Sequence, residues 1–147
     1  MHRYFLTINT LERCSAFDDA EHVDLALSHL LRTSADYSFE VTAYCFLPDH
    51  MHALVEATND QADFLKFVAM FKQRSGYAFK QRTTELLWQD SFYDHILRDE
   101  ESTLAVAAYI VANPVRAGLC SDVRLYPFVG SARYSIEELI DAVAWRP

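Results

Sequence analysis

His50 and His52 are separated by a single residue, Met51, in a stretch where apolar and polar residues alternate. Alternation sends residues two apart to the same face of a β-strand, so both imidazoles can converge on one divalent ion. Taken alone, the pair is more simply read as two sheet histidines satisfied by hydrogen bonds. Tyr109 and Asn113 form a second constellation. Four apart in an alanine-rich helical segment, they share a face, with Leu104, Ala107, Ala108 and Val111 as the apolar stripe roughly opposite. That spacing removes Tyr109 from the core and leaves its hydroxyl as a nucleophile or as the polar end of a packed ring. A third set, Lys72, Arg74, Tyr77, Lys80 and Arg82, interleaves cations with an aromatic ring between positions 64 and 84, where there is no Asp or Glu. Such a set suits the phosphates and bases of a single DNA strand, and suits a solvated helix face equally well.

The elements that must position these residues follow from hydrophobic period. Tyr4, Leu6 and Ile8 alternate as a first strand. Asp18 with Glu21 three residues later predicts a helix start, and Val23, Leu27, Leu30 and Leu31 carry that helix to about residue 35. Phe39, Val41, Ala43, Cys45 and Leu47 return to period two, and Pro48–Asp49 reverses the chain into a strand over residues 50–56 that carries both histidines. Thr58 and Gln61 predict the start of a second helix, with Phe64, Val68 and Phe71 on its apolar face and a bend at Gly76. Residues 86–97 read as strand-like, and residues 100–113 as a helix stopped by Pro114. A loop and a short helix opened by a Ser135–Glu138 capping box close the chain.

This order predicts an α+β fold: a ferredoxin-like βαββαβ plait with an antiparallel four-stranded sheet, helices on one face and the histidine strand near the centre. The helix bearing Tyr109 and a short C-terminal extension add to it. The expected organisation is one domain over residues 1–147, with a core to about 114 and a loop and helix over about 115–147. At 147 residues the chain can bury a full apolar core without staples. Its three widely spaced cysteines, Cys14, Cys45 and Cys120, suggest neither a disulfide framework nor a zinc finger. No leader pattern or membrane-length apolar run is evident, so the expectation is a cytoplasmic protein without a membrane partner. The net charge of −8 argues against holding nucleic acid by overall charge and confines any such contact to the local basic stretch.

Three blocks, residues 46–54 (FLPDHMHAL), 87–98 (LWQDSFYDHILR) and 109–119 (YIVANPVRAGL), resemble in order and spacing the signature blocks of REP-associated tyrosine transposases, a single-tyrosine branch of the HUH nucleases. The resemblance spans most of residues 1–134. It implies that His50 and His52 are ligands of Mg²⁺ or Mn²⁺, that Tyr109 is the nucleophile, and that Asn113 can supply a further ligand. It also implies single-stranded or hairpin DNA as partner, and cutting and rejoining through a 5′-phosphotyrosine. A tyrosine hydroxyl ordinarily ionises near pH 10, so attack requires help from a cation or a base. Arg116, in the third block, either meets DNA or braces the turn.

Two positions depart from the family pattern. Asp49 stands where Asn is more frequent, and the strongly basic tail of many relatives is replaced by residues 135–147, which carry three acids. Two alternatives therefore stay open: a domesticated hairpin-binding protein that does not cut, and a small-molecule metallohydrolase in which His95 joins the histidine pair on zinc. The residues leave monomer against homodimer undecided.

Overall fold

A computed structural model describes residues 2–147. Strand β1 (Arg3–Asn9) leads through short 3₁₀ turns to helix α1 (Ala20–Asp36), then to the hairpin of β2 (Phe39–Leu47) and β3 (His50–Ala57). Helix α2 (Phe64–Thr83), strand β4 (Tyr93–Leu97), helix α3 (Glu100–Arg116), the two-residue strand β5 (Val129–Gly130) and helix α4 (Ile136–Val143) complete it. The sheet is antiparallel in the order β4-β1-β3-β2-β5, so β3 is central as its alternation predicts. The first four strands make the expected plait. The fifth is an addition, pairing Gly130 and Val129 with Tyr44 and Cys45 on the β2 edge.

Helices cover both faces rather than one. Against α1 and α2 the sheet presents Leu6, Ile8, Met51, Ala53 and Val55, which pack with Leu30, Phe67 and Phe71. The opposite face presents Ala43, Cys45, Leu47 and Leu54 to Ala107, Ile110 and Val111 of α3 and Leu139 and Ile140 of α4. A two-faced sheet needs both parities of β2 to be apolar. A β-bulge between Val41 and Ala43 provides this by moving Ala43, Cys45 and Leu47 to the α3 side while Phe39 and Val41 stay on the α1 side.

Helix boundaries show which local signals prevailed. Asp19, not Asp18, caps α1 by accepting from Glu21 N–H. Asp63 caps α2 through Lys66 N–H, because the earlier Thr58–Gln61 signal forms a turn in which Asn59 accepts from Gln61 N–H at 2.8 Å. Helix α2 runs unbroken through Gly76. Pro114 lies inside α3, whose last turn continues to Arg116 and closes with Ala117 N–H on Asn113 O at 2.8 Å. A proline this near a C-terminus removes one ladder bond, which a packed helix tolerates. The predicted capping box at Ser135 and Glu138 is present in both directions.

Candidate active site

Register builds the site. Thr7 of β1 and Cys45 of β2 flank His52 across β3, and Asn9 and Leu47 flank His50, so both imidazoles emerge on the α3 side of the sheet's centre. Their ring centroids are 4.9 Å apart. His50 Nδ1–H donates to Asp49 Oδ1 at 2.7 Å; a carboxylate can only accept, so Nδ1 carries the proton and Nε2 takes no part in the bond. Arg13 donates from Nε to Asp49 Oδ2 at 3.1 Å and so holds that carboxylate in place. Burial alone would raise the Asp49 pKa, but the bonds and charges of Arg13 and His50 hold it below the usual carboxylate range.

His52 is 5% exposed. In its Nδ1–H tautomer it donates to Thr7 Oγ1 at 2.8 Å, again leaving Nε2 free. Desolvation, reinforced by His50 and Arg116, pushes its pKa down to about 3, so the ring is neutral, as a metal ligand must be. Two imidazoles on one face, each with Nδ1 anchored to an oxygen acceptor, form a donor set that fits a divalent cation. Among the described residues no group of three or more His, Cys, Asp or Glu is placed to hold a metal. The three-histidine zinc alternative is thereby set aside: His95, on the exposed edge strand β4, lies opposite Phe5, two residues along β1 from the Thr7–His52 row and across β1 from His52.

Helix α3 brings the tyrosine. Ala107, Ile110 and Val111 seat it on the sheet, and Tyr109 stands at the margin of that contact, 42% exposed. Its ring lies edge-on to His52, with centroids 5.5 Å apart, and 5.8 Å from Phe5. The Arg116 guanidinium lies over the ring at 4.2 Å. Asn113 does not share Tyr109's exposure: it is 7% exposed, on the packed side of the helix with Ile110 and Pro114, whereas Leu104 is exposed. The inner stripe is therefore rotated from the one expected.

Of the predicted DNA contacts only Arg116 joins this cluster. Lys72, Arg74, Tyr77, Lys80 and Arg82 all lie on α2, across the sheet from the histidines. Arg74 is bonded to Asp36 at 2.8 Å, Arg82 is paired with Glu21, and Lys72 is bonded to backbone carbonyls. Sequence reasoning missed Thr7 and Arg13, whose roles depend on strand register and loop path. The stacking of Arg116 on Tyr109 was accessible, because residues seven apart on a helix face the same way after two turns.

The family model described as "Transposase IS200 like" matches residues 2–113. A REP-associated tyrosine transposase of Escherichia coli is 26% identical over 125 residues, 85% of this chain and 73% of that protein. A Haemophilus influenzae protein provisionally named a REP-associated tyrosine transposase is 27% identical over 136 residues, 85% of this chain and 77% of that protein. A solved REP-associated tyrosine transposase bound to a REP hairpin superposes with TM-score 0.76 and 25% identity, over 86% of this chain and 74% of that one.

Proposed function

This chain belongs to the IS200-like transposase family, and from that premise we propose that it cuts and rejoins single-stranded, hairpin-associated DNA with Tyr109 as nucleophile and a divalent metal as cofactor. The observation that carries the reading is the half-exposed Tyr109 standing edge-on to His52 with Arg116 over its ring. Hairpin DNA as partner is supported by the relative whose structure contains a REP hairpin.

In the reaction the Tyr109 oxygen bonds to phosphorus as the P–O3′ bond breaks. The hydroxyl proton departs, the leaving 3′ oxygen takes up a proton, and the strand is left as a 5′-phosphotyrosine. Attack on that link by another 3′-hydroxyl reverses these changes and rejoins DNA without an external energy source. Nε2 of His50 and His52, with the Asn113 amide as a further ligand, would hold Mg²⁺ or Mn²⁺, which supplies positive charge to the nonbridging phosphate oxygens. Thr7 and Asp49 aim the imidazoles, and Arg116 offers a second cation where negative charge develops. Among the described residues no helix is long and apolar enough to cross a membrane, and we assign the reaction to the cytoplasm.

The competing reading is hairpin binding without cleavage, favoured by the net charge of −8. Incubation with labelled hairpin oligonucleotides and Mn²⁺ separates the two. A covalent protein–DNA species on a denaturing gel, abolished in Tyr109→Phe, is the expected result; a Phe variant that cuts as well as the parent would overturn the nucleophile assignment.

A further inference from the structure

The four cations and one aromatic of this set on α2 do not act alike once folded. Arg74 and Arg82 are neutralised by Asp36 and Glu21. Lys72, Tyr77 and Lys80 instead line a cavity of about 390 Å³ between α2 and the segment leading to β4. That volume lies within the range of small-ligand sites. Tyr77 is 68% exposed at its mouth and Leu86 60%, while Trp88 forms an apolar wall, its indole N–H already donated to Ser75 Oγ at 2.9 Å.

The cations here have no close ion pair, although the Asp90 carboxylate also lines the cavity and acts on Lys72 at longer range. Lys72 Nζ donates to Gln89 O at 2.8 Å and Asp90 O at 2.9 Å, both neutral carbonyls. Among the described residues neither Lys72 nor Lys80 has a carboxylate within ion-pair distance, although the chain as a whole is acidic. An exposed aromatic beside cations that are not tied into ion pairs is the pairing that holds a base and its phosphates.

Position ties the cavity to the site. Gln89, in its wall, donates its N–H to Asn9 O at 3.1 Å, and Asn9 is in register with His50. Two strand spacings, about 10 Å, therefore separate the Gln89 backbone from that of His50. A DNA strand leaving the Tyr109 face round this end of the sheet reaches the cavity within a few nucleotides.

We propose that this cavity is a nucleotide subsite, taking one unpaired base of single-stranded DNA against Tyr77, Leu86 and Trp88, with the adjoining phosphates on Lys72 and Lys80. The subsite rests on the DNA-processing function proposed above and adds to it a place where sequence near the cut is felt.

The test is a fluorescence-anisotropy titration with an oligothymidylate of about a dozen nucleotides and with an abasic strand of the same length. The parent protein is expected to prefer the base-bearing strand by about tenfold, the order of one base–aromatic stack. Tyr77→Ala should lose that preference while still binding the abasic strand, and Lys80→Glu should weaken both. Both side chains are exposed, and native circular dichroism of the variants verifies folding. Unchanged preference in Tyr77→Ala overturns the subsite. Failure of the parent to bind either strand while still forming the Tyr109 adduct with a hairpin also overturns the subsite alone. Binding that depends on Tyr77 without any adduct upholds the subsite and overturns the cleavage reading.

Discussion

Thr7→Val tests whether the sheet aims His52. Valine keeps the β-branched shape of threonine, so strand propensity and packing change little, while the hydroxyl bonded at 2.8 Å to His52 Nδ1 is lost. His52 is 5% exposed, so water replaces that partner poorly. A buried donor left without an acceptor costs about 1–3 kcal/mol, which the urea midpoint should register. Losing the partner that fixes a ligating imidazole should also weaken Mn²⁺ binding by about 10–100-fold, measured from the resonance signal of free Mn²⁺. Thr7→Ser, which restores a hydroxyl, should recover most of both. A valine variant with parental Mn²⁺ affinity would refute the reasoning even if it were less stable, since Thr7 would then be packing and not aiming.

His52 also makes acid stability predictable. The unfolded imidazole takes a proton near pH 6.5, the folded one only near 3, so below 6.5 the unfolded state holds a proton that the folded state lacks. Stability of chelator-treated protein should be flat in this group above pH 6.5 and fall from 6.5 toward 3; urea midpoints of His52→Asn that keep the full slope would contradict this. Iodoacetamide should label exposed Cys14 in the native protein and reach Cys45 only on unfolding, because burial pushes the Cys45 thiol far up; peptide mapping reads the order. If Arg116, Lys72 and Lys80 are the cations that meet phosphates, the logarithm of single-strand affinity should fall with the logarithm of salt at a slope of about −2. A slope several-fold steeper would mean that other cations take part.

Alternation made the hairpin, the central strand and the shared face of His50 and His52 legible, because period two is a local property of the chain. Helix existence was legible for the same reason. What failed was competition among neighbours: Asn59 turned the expected α2 start into a turn, and Asp19 displaced Asp18 as the α1 cap. The β2 bulge defeats simple alternation, and with it the inference of a one-sided sheet. The four-residue spacing puts Asn113 on the Tyr109 face, away from the apolar stripe, yet the helix is rotated so that Asn113 faces inward, a choice made by packing against β2 and α4. Thr7 and Arg13 were illegible because their partners lie on segments far away in sequence, and only register brings them together.

The arrangement of Tyr109 explains how one chain supplies the whole cluster. Only Arg98 and Asp99 separate β4 from α3, and Asp99 caps the helix by accepting from Ser102 N–H at 2.7 Å. The helix direction is therefore set where the chain leaves the sheet edge. Alanine at 107 with Ile110 and Val111 then seats α3 on the same sheet face that bears the histidines. Rigid elements on both sides fix the tyrosine ring against His52 of its own chain to within contact distance. The acidic balance of the surface is compatible with this, because Arg3, Arg13, Arg74, Arg82, Arg124 and Arg133 are matched to carboxylates while Arg116, Lys72 and Lys80 are not. Of the cations without a carboxylate partner among the described residues, which also include Arg32, Lys66, Arg98 and Arg146, Arg116 stands at the tyrosine and Lys72 and Lys80 in the cavity at the sheet's end, two places where the proposed chemistry needs a phosphate to stop.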